Sequence, residues 1–421
     1  MVRVVTAGVT NSLVDVAGLR VGHAQRVGGG YRTGTTVVLA PPGGMVAGVD
    51  VRGAAPGTRE TELLDPRNLV ERVHAIVLTG GSAYGLSAAC GVMERLADAG
   101  IGFPVEGGVV PIVPAAVIYD LGRGGVFRAV PDGALGAEAY DAAARSHGPD
   151  LRVSASAGSD PWGTGSDGPD LRANGSDGPD PWASGSVGAG TGAVAGGLAG
   201  GIGTASVVLP SGVTVAAMAV VNAVGSVLDP VGGRLSGTRY GLPGEFDHLR
   251  EPREDEVAAW QGATVTSFNT TIGVVATDLT LTKAQCGKLA GVAHDGLARA
   301  IRPAHTMVDG DTIFGLSTCA LPFPGAAAPG SPEPGATAFE RAARSTPAEG
   351  AARRTSAEGA AGDTPAPVGA GRNAPGAAGL HDVLAAGADV FSRAVAHAML
   401  AATGRDGAPA YRDVFPSAWG K

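Results

Sequence analysis

The sequence predicts a layered α/β or α+β domain, and three observations carry that expectation. Short unbroken apolar runs of strand length recur, segments with apolar residues at helical spacing lie between them, and two stretches of low complexity stand apart from both. Of the 421 residues 44% are hydrophobic and only 5% aromatic, so the core is expected to consist of Ala, Val, Leu and Ile. That supply excludes a chain disordered throughout.

The strands come first along the chain. Thr36-Val-Val-Leu-Ala, His74-Ala-Ile-Val-Leu-Thr, Val213-Thr-Val-Ala-Ala-Met-Ala-Val-Val and Ile272-Gly-Val-Val-Ala-Thr are apolar without alternation, which predicts strands covered on both faces. A helix is expected from about Ala83 to Ala99, after Gly80-Gly-Ser-Ala-Tyr, with Ser82 as its N-cap. Leu289, Val292, Ala293, Leu297, Ala300 and Ile301 repeat at helical spacing and stop before Pro303. Leu384, Phe391, Val395, Ala398 and Met399 predict a last helix, ended at Gly404.

Residues 146–186 repeat short turn-forming units: Gly148-Pro-Asp-Leu-Arg returns at Gly168 and Asp160-Pro-Trp at Asp180. Residues 324–379 are rich in Ala, Gly, Pro, Ser and Thr. Neither can bury a continuous face, and both read as disordered insertions into one domain spanning 1–421. The ordered blocks are then 1–145, 187–323 and 380–421.

Lys plus Arg (31) falls below Asp plus Glu (39), for a formal charge of -8, which excludes nucleic acid as a main partner. Three cysteines exclude a disulfide scaffold and a Cys-rich zinc module, and they fit a reducing compartment. The start carries no signal-peptide pattern, and no run of about 18 apolar residues predicts a membrane span. A cytoplasmic protein without a membrane partner is expected. The eight histidines show no ligand spacing, so neither a metal nor an organic cofactor is expected.

The chemistry centres on Phe268-Asn269-Thr270-Thr271-Ile272. Taken plainly, Thr suits a strand and Asn marks the turn before it. The sharper reading is a self-cleaving nucleophile. The Thr270 hydroxyl attacks the preceding carbonyl, the amide becomes an ester, and water releases a chain that begins with Thr270. Its free α-amine, with a reference pKa of about 7.7–8.0, can take the hydroxyl proton near neutrality. In Met307-Val-Asp309-Gly310-Asp311-Thr312, two carboxylates flank a glycine; if extended, both point one way and can orient that threonine. A solvated Asp-Gly-Asp turn is the plain alternative. Asn222, ending an apolar strand, and Tyr119, after Val113-Pro-Ala-Ala-Val-Ile, can each donate to an oxyanion. Gly188, Gly190 and Ala193 meet a loose dinucleotide fingerprint, which leaves an oxidoreductase as an alternative. The whole glycine-rich stretch, Gly188 to Ala193 and Gly196 to Gly203, reads better as a loop of close backbone approach beside a site.

Together these segments resemble one family, that of the β-peptidyl aminopeptidases, the L-aminopeptidase/D-amidase-esterases and the nylon-oligomer endohydrolase. The matching stretches are Asn11–His23, Val49–Glu60, Leu78–Leu86, Val113–Asp120, Asn269–Asp278 and Asp309–Phe314, in family order. The resemblance implies an α+β fold, a four-layer αββα sandwich of the self-cleaving N-terminal-nucleophile type. It implies a cut between Asn269 and Thr270 into an α chain (1–269) and a β chain (270–421) that stay together, assembled as a homo-oligomer of αβ units. Thr270 matches the nucleophile, Asp309 and Asp311 the pair that orients it, Asn222 the active-site Asn and Tyr119 the oxyanion Tyr. The implied reaction is hydrolysis of a small peptide or amide through an acyl-enzyme, by an aminopeptidase or an endo-amidase. Many members carry Lys in a Lys-Gly-Gly-Ile-Gly-Thr context where this chain has Ala199. A slow or non-catalytic member is therefore the second reading.

Overall fold

The computed structural model describes residues 5–146, 183–260, 262, 268–323 and 375–419. Most of the two expected insertions lies outside the described residues. Within the end expected for the first of them the backbone is already paired, so that insertion ends earlier than residue 186: Gly185 and Ile202 exchange hydrogen bonds of 2.6 and 2.8 Å. The chain divides into two compact units, Met1–Pro322 with His381–Lys421, and Phe323–Leu380. In the second unit only Phe323 and the helical residues from Pro375 onward are described.

In the first half the strands are β1 (Arg20–Gly28), β2 (Tyr31–Leu39), β3 (Val46–Val51), β4 (Thr58–Arg59), β5 (Ala75–Thr79), β6 (Phe103–Val105), β7 (Gly108–Val110) and β8 (Ala115–Val117). They are followed by β9 (Val194–Ala195), β10 (Leu198–Ala199), β11 (Gly201–Val208), β12 (Thr214–Val221), β13 (Ile272–Leu279) and β14 (Thr312–Leu321). The helices are α1 (Ser82–Gly85), α2 (Ala88–Asp98), α3 (Gly133–Arg145), α4 (Glu254–Ala259), α5 (Lys283–Ala300), α6 (Pro375–Ala401) and α7 (Tyr411–Val414).

Two five-stranded sheets form the frame, ordered β1-β2-β5-β8-β4 and β11-β12-β13-β14-β3. Within each sheet one neighbouring pair is parallel, β5 with β8 and β13 with β14; the other pairs are antiparallel. The β1–β2 hairpin closes on Gly29 and Gly30, whose φ of 59° and 90° suit a two-residue turn that needs positive φ at both positions.

The unbroken apolar runs have their expected cause. Along β5, Ile76 and Leu78 enter a cluster shared with Met218, Val274 and Phe314 of the second sheet, while Ala75 and Val77 pack with Ala89 and Val92 of α2 and Ala139 of α3. Successive residues thus face opposite apolar layers, and no position is left for a polar one. The outer face of the second sheet meets α5 and α6. A Cβ on Gly203 would lie 1.9 Å from the Ala394 carbonyl oxygen, and one on Gly315 would lie 2.1 Å from that of Cys286. Helix α5 begins with a capping box: Thr282 accepts from the Gln285 N–H at 3.3 Å, and Gln285 accepts from the Thr282 N–H at 2.9 Å.

Three local expectations change. The helix expected over 83–99 is two pieces, α1 and α2, and its cap is Gly81 rather than Ser82. Ser82 is instead the first residue of α1, with φ 50°, and donates its N–H to the Ile118 carbonyl. The stretch Gly196–Gly203 is a small hairpin running into strand β11, because small residues on that strand let α6 approach. Gly379–Ala401 is long and apolar enough to cross a membrane, which no uninterrupted apolar run had suggested; 72% of its most apolar window is buried inside the protein, as in a core helix.

Candidate active site

Topology brings the separate motifs together. Strand β13 runs parallel to β14 with Ile272 opposite Thr312, so the residues before each strand lie side by side. Asn269 consequently bridges Asp309, and Thr271 donates its N–H to Asp311 Oδ1 at 2.8 Å. Strand β12 runs antiparallel to β13 with Val220 opposite Ile272, which carries Asn222 past the end of the ladder to Thr270. The Thr270 N–H donates to the Asn222 carbonyl at 2.6 Å. Its hydroxyl donates to the Asn269 carbonyl oxygen at 2.5 Å. Asn269, Thr270, Asn222, Asp309 and Asp311 are all buried, at 0 to 5% exposure, so the Asp-Gly-Asp turn is not a solvated one.

The two carboxylates do different things. Asp311 holds the Thr271 N–H through one oxygen and the His305 N–H (3.0 Å) and Nδ1 (2.8 Å) through the other. Asp309 accepts from the N–H (2.9 Å) and hydroxyl (2.6 Å) of Thr306 and so fixes its own loop. Both are drawn to the mouth of β13, but neither carboxylate bonds Thr270 itself.

From the first sheet, the turn after β8 supplies Tyr119, Asp120 and Arg123. Tyr119 presents its carbonyl to Asn222 Nδ2 at 3.3 Å and its ring to Phe268, centroids 6.0 Å apart. Arg123 ties the two asparagines of the site together. One of its terminal nitrogens donates to Asn222 Oδ1 and to the Gly192 carbonyl at 2.7 Å, and the other donates to Asn269 Oδ1 at 2.7 Å. Arg405 reaches the same loop, donating to the Gly192 (3.0 Å) and Ala193 (2.6 Å) carbonyls. Val194 N–H completes the contact, donating to Asn222 Oδ1 at 3.0 Å.

Both cations are perturbed by burial. Burial lowers the Arg123 pKa, and the nearby Asp120 opposes that shift. Burial, with repulsion from Arg123 and Arg32, lowers Arg405 to about 10. Burial also raises the Asp120 carboxyl, against hydrogen bonds from Thr33 and the Gly81 N–H. Ala199 packs with Ala402 and Ala408, its N–H donating to the Pro409 carbonyl at 2.8 Å.

Sequence reasoning missed Arg123, Arg405, His305 and Thr306. Nothing marks these among the other Arg, His and Thr residues until the strands are paired. The Gly188–Ala193 loop offers no phosphate cradle. The Gly188 N–H donates to Gln25 at 2.8 Å and the Ala189 N–H to Thr36 at 3.1 Å, inside the protein. The dinucleotide alternative fails because these donors are already committed. Among the described residues no cluster of three or more His, Cys, Asp or Glu is arranged to hold a metal ion.

The model of Peptidase family S58 matches residues 11–411. An uncharacterized aminopeptidase of Mycobacterium tuberculosis (strain ATCC 25618 / H37Rv) is 43% identical over 422 residues, covering 97% of this chain and 99% of the relative. The 6-aminohexanoate-oligomer endohydrolase of Kocuria sp. (strain KY2) is 29% identical, over 74% of this chain and 76% of that one. Among solved structures, a Burkholderia sp. β-aminopeptidase superimposes with a TM-score of 0.58 at 20% identity, covering 99% of this chain and 97% of its own. The L-aminopeptidase D-Ala-esterase/amidase of Ochrobactrum anthropi, a variant of the Ntn hydrolase fold, has a TM-score of 0.58 at 19% identity, over 98% and 95% of the two chains.

Proposed function

The chain belongs to peptidase family S58 and is a peptidase/amidohydrolase, and from that premise we propose that it is an N-terminal threonine hydrolase that cuts itself before Thr270. On this reading the two facing sheets with their outer helices are an αββα sandwich of the self-cleaving type, and αβ units assemble as a homo-oligomer. The observation that carries the proposal is the position of Thr270. It is buried, its hydroxyl lies 2.5 Å from the carbonyl oxygen of the residue before it, and its nitrogen is held by Asn222 at 2.6 Å.

In the self-cleaving step the Thr270 hydroxyl oxygen bonds to the Asn269 carbonyl carbon, and the hydroxyl proton passes to the leaving nitrogen. The C–N bond breaks, leaving an ester on the hydroxyl oxygen and a free α-amine on Thr270. Water adds to the ester and releases the Asn269 carboxylate. In turnover the α-amine takes the hydroxyl proton, Thr270 attacks the substrate carbonyl, and the amine returns the proton to the departing amine. The Asn222 carbonyl, which holds the backbone N–H in the uncut chain, is placed to hold the amine afterwards. Asn222 Nδ2 gives one hydrogen to Tyr119 and keeps a second, which is available to an oxyanion. Asp311 fixes Thr271 and so the strand mouth, while Asp309 fixes the loop that faces it.

The test is the intact mass of denatured wild-type and Thr270→Ala proteins. Two species, one beginning at Thr270, are expected for the wild type, and a single uncut, inactive chain for the variant. A cut and active Thr270→Ala protein would overturn the assignment. Ala199 favours a second reading, a slow or inactive relative. That reading predicts one full-length mass after long incubation and no turnover of amides or esters.

A further inference from the structure

We propose that Arg123 is the recognition residue of the acyl-side subsite, and that the substrates are amides whose acyl residue is aspartyl or asparaginyl. This rests on Thr270 being the nucleophile. The ester formed in self-cleavage carries Asn269 as its acyl group, and around the reacting carbon it is an acyl-enzyme like any formed from substrate. The surroundings of Asn269 in the uncut chain therefore show what an acyl residue meets.

Asn269 is 2% exposed, so its side chain fills an enclosed position. Its Oδ1 accepts from Arg123 at 2.7 Å, and its N–H donates to the Val308 carbonyl at 3.2 Å. Hydrolysis of the ester frees the chain that ends at Asn269 and vacates both partners. Arg123 then keeps its bonds to Asn222 and Gly192 but loses the acceptor on its other terminal nitrogen. Among the described residues no carboxylate stands within ion-pair distance of this guanidinium. A desolvated cation with an empty donor selects an oxygen acceptor, and a carboxylate above an amide. The acceptor must sit one methylene from the α-carbon, as Oδ1 of Asn269 does. The free Val308 carbonyl is at the same time open to the α-amine of that residue, which suits an amino-terminal acyl residue.

The experiment compares Asp-, Asn-, Ala- and Leu-p-nitroanilide with the cut wild-type enzyme and with Arg123→Leu, maturation being read by intact mass. A charged hydrogen bond implies kcat/KM about 10- to 100-fold higher for Asp and Asn than for Ala and Leu, and Arg123→Leu should abolish that ratio. A cut wild-type enzyme that prefers Leu or Ala, or turns over none of the four, overturns the subsite. So does an Arg123→Leu enzyme with the ratio unchanged. Because Arg123 also holds Asn222, the variant can fail to mature. The precursor itself then reports: Asn269→Asp should cut at least as fast as wild type and Asn269→Leu about 10-fold slower, and an Asn269→Leu precursor that cuts as fast as wild type overturns the proposal. A cut Thr270→Ala protein would instead remove the nucleophile beneath it, an outcome that no change in acyl preference can produce.

Discussion

At the scale of single residues, Thr270 needs neighbours that differ in kind. A carbonyl holds its nitrogen, a buried guanidinium ties Asn222 to Asn269, and a carboxylate holds the next peptide N–H. Asn222 is the shared partner, accepting from Arg123 and Val194 and donating to Tyr119. Asn222→Ala removes those side-chain bonds but leaves the backbone carbonyl on Thr270. Self-cleavage and turnover should slow by about 100- to 1,000-fold, the range seen when an oxyanion donor is lost, with rates read by mass and by kcat. On the proposed mechanism the α-amine of the cut chain sets the pH dependence. It works as a base only when neutral, so kcat/KM should fall about tenfold per pH unit below a pKa whose reference is about 7.7–8.0. A profile flat from pH 8 to 5 would count against the amine as the base. Thr270, Asn222, Asp309 and Asp311 were all legible as candidates. Arg123 was not, because an arginine four residues beyond Tyr119 has no pattern of its own until the two sheets meet.

Elements decide which motifs become neighbours. The crossover from β13 through α5 to β14 gives a parallel pair, and its register converts a separation of about forty residues into the contact between Thr271 and Asp311. The helices that cover this sheet lie close because the strands present glycine beneath them. Gly203→Ala would put a methyl 1.9 Å from the Ala394 carbonyl oxygen, a backbone atom that cannot swing aside. Displacing α6 should cost about 1–3 kcal/mol or more, measured by urea unfolding, with self-cleavage slowed through β12 and β13. Strands β5, β12 and β13 and helices α5 and α6 were readable because apolar residues repeat at strand or helix period. Strand β11 was not: a strand that must admit a helix is rich in Gly and Ala, and that composition also describes a loop.

At the scale of the whole molecule, one buried ion pair and its hydrogen bonds pin the amino-terminal segment to helix α6. Arg393 donates to Glu245 at 2.7 and 2.9 Å, to Asn11 at 2.8 Å and to the Ser206 carbonyl at 2.9 Å. Both charged side chains are at most 1% exposed. Arg393→Met would strand the carboxylate, and a loss of about 3–5 kcal/mol is expected in chemical unfolding. Acid should act through the same interior. Burial raises the Glu245 pKa, but hydrogen bonds from His397 and Arg393 outweigh it and bring it to about 2. Burial lowers His294 to about 4. Both folded values lie below the unfolded ones, so the folded state binds fewer protons and stability is lost as pH falls. His294 acts between about 6.5 and 4, and Glu245 between about 4.5 and 2. His294→Gln should remove about 2 kcal/mol of the stability lost between pH 7 and 5, seen as a flatter melting-temperature profile. An unchanged slope would show that His294 is not the group.

By itself the sequence determined that helices and sheets are mixed, where β5, β12, β13, α5 and α6 lie, and which residues were candidates for the chemistry. Apolar periodicity and residue type are local properties, written in order along the chain. Tertiary structure alone decided that Asp311 acts on Thr271 and Asp309 on its own loop. It also decided that Arg123 crosses from the first sheet to Asn222 and Asn269, and that the Gly188–Ala193 donors are used internally. Those outcomes depend on strand register and on how two sheets face each other. Both are fixed by the packing of the whole core, and no window of sequence contains them.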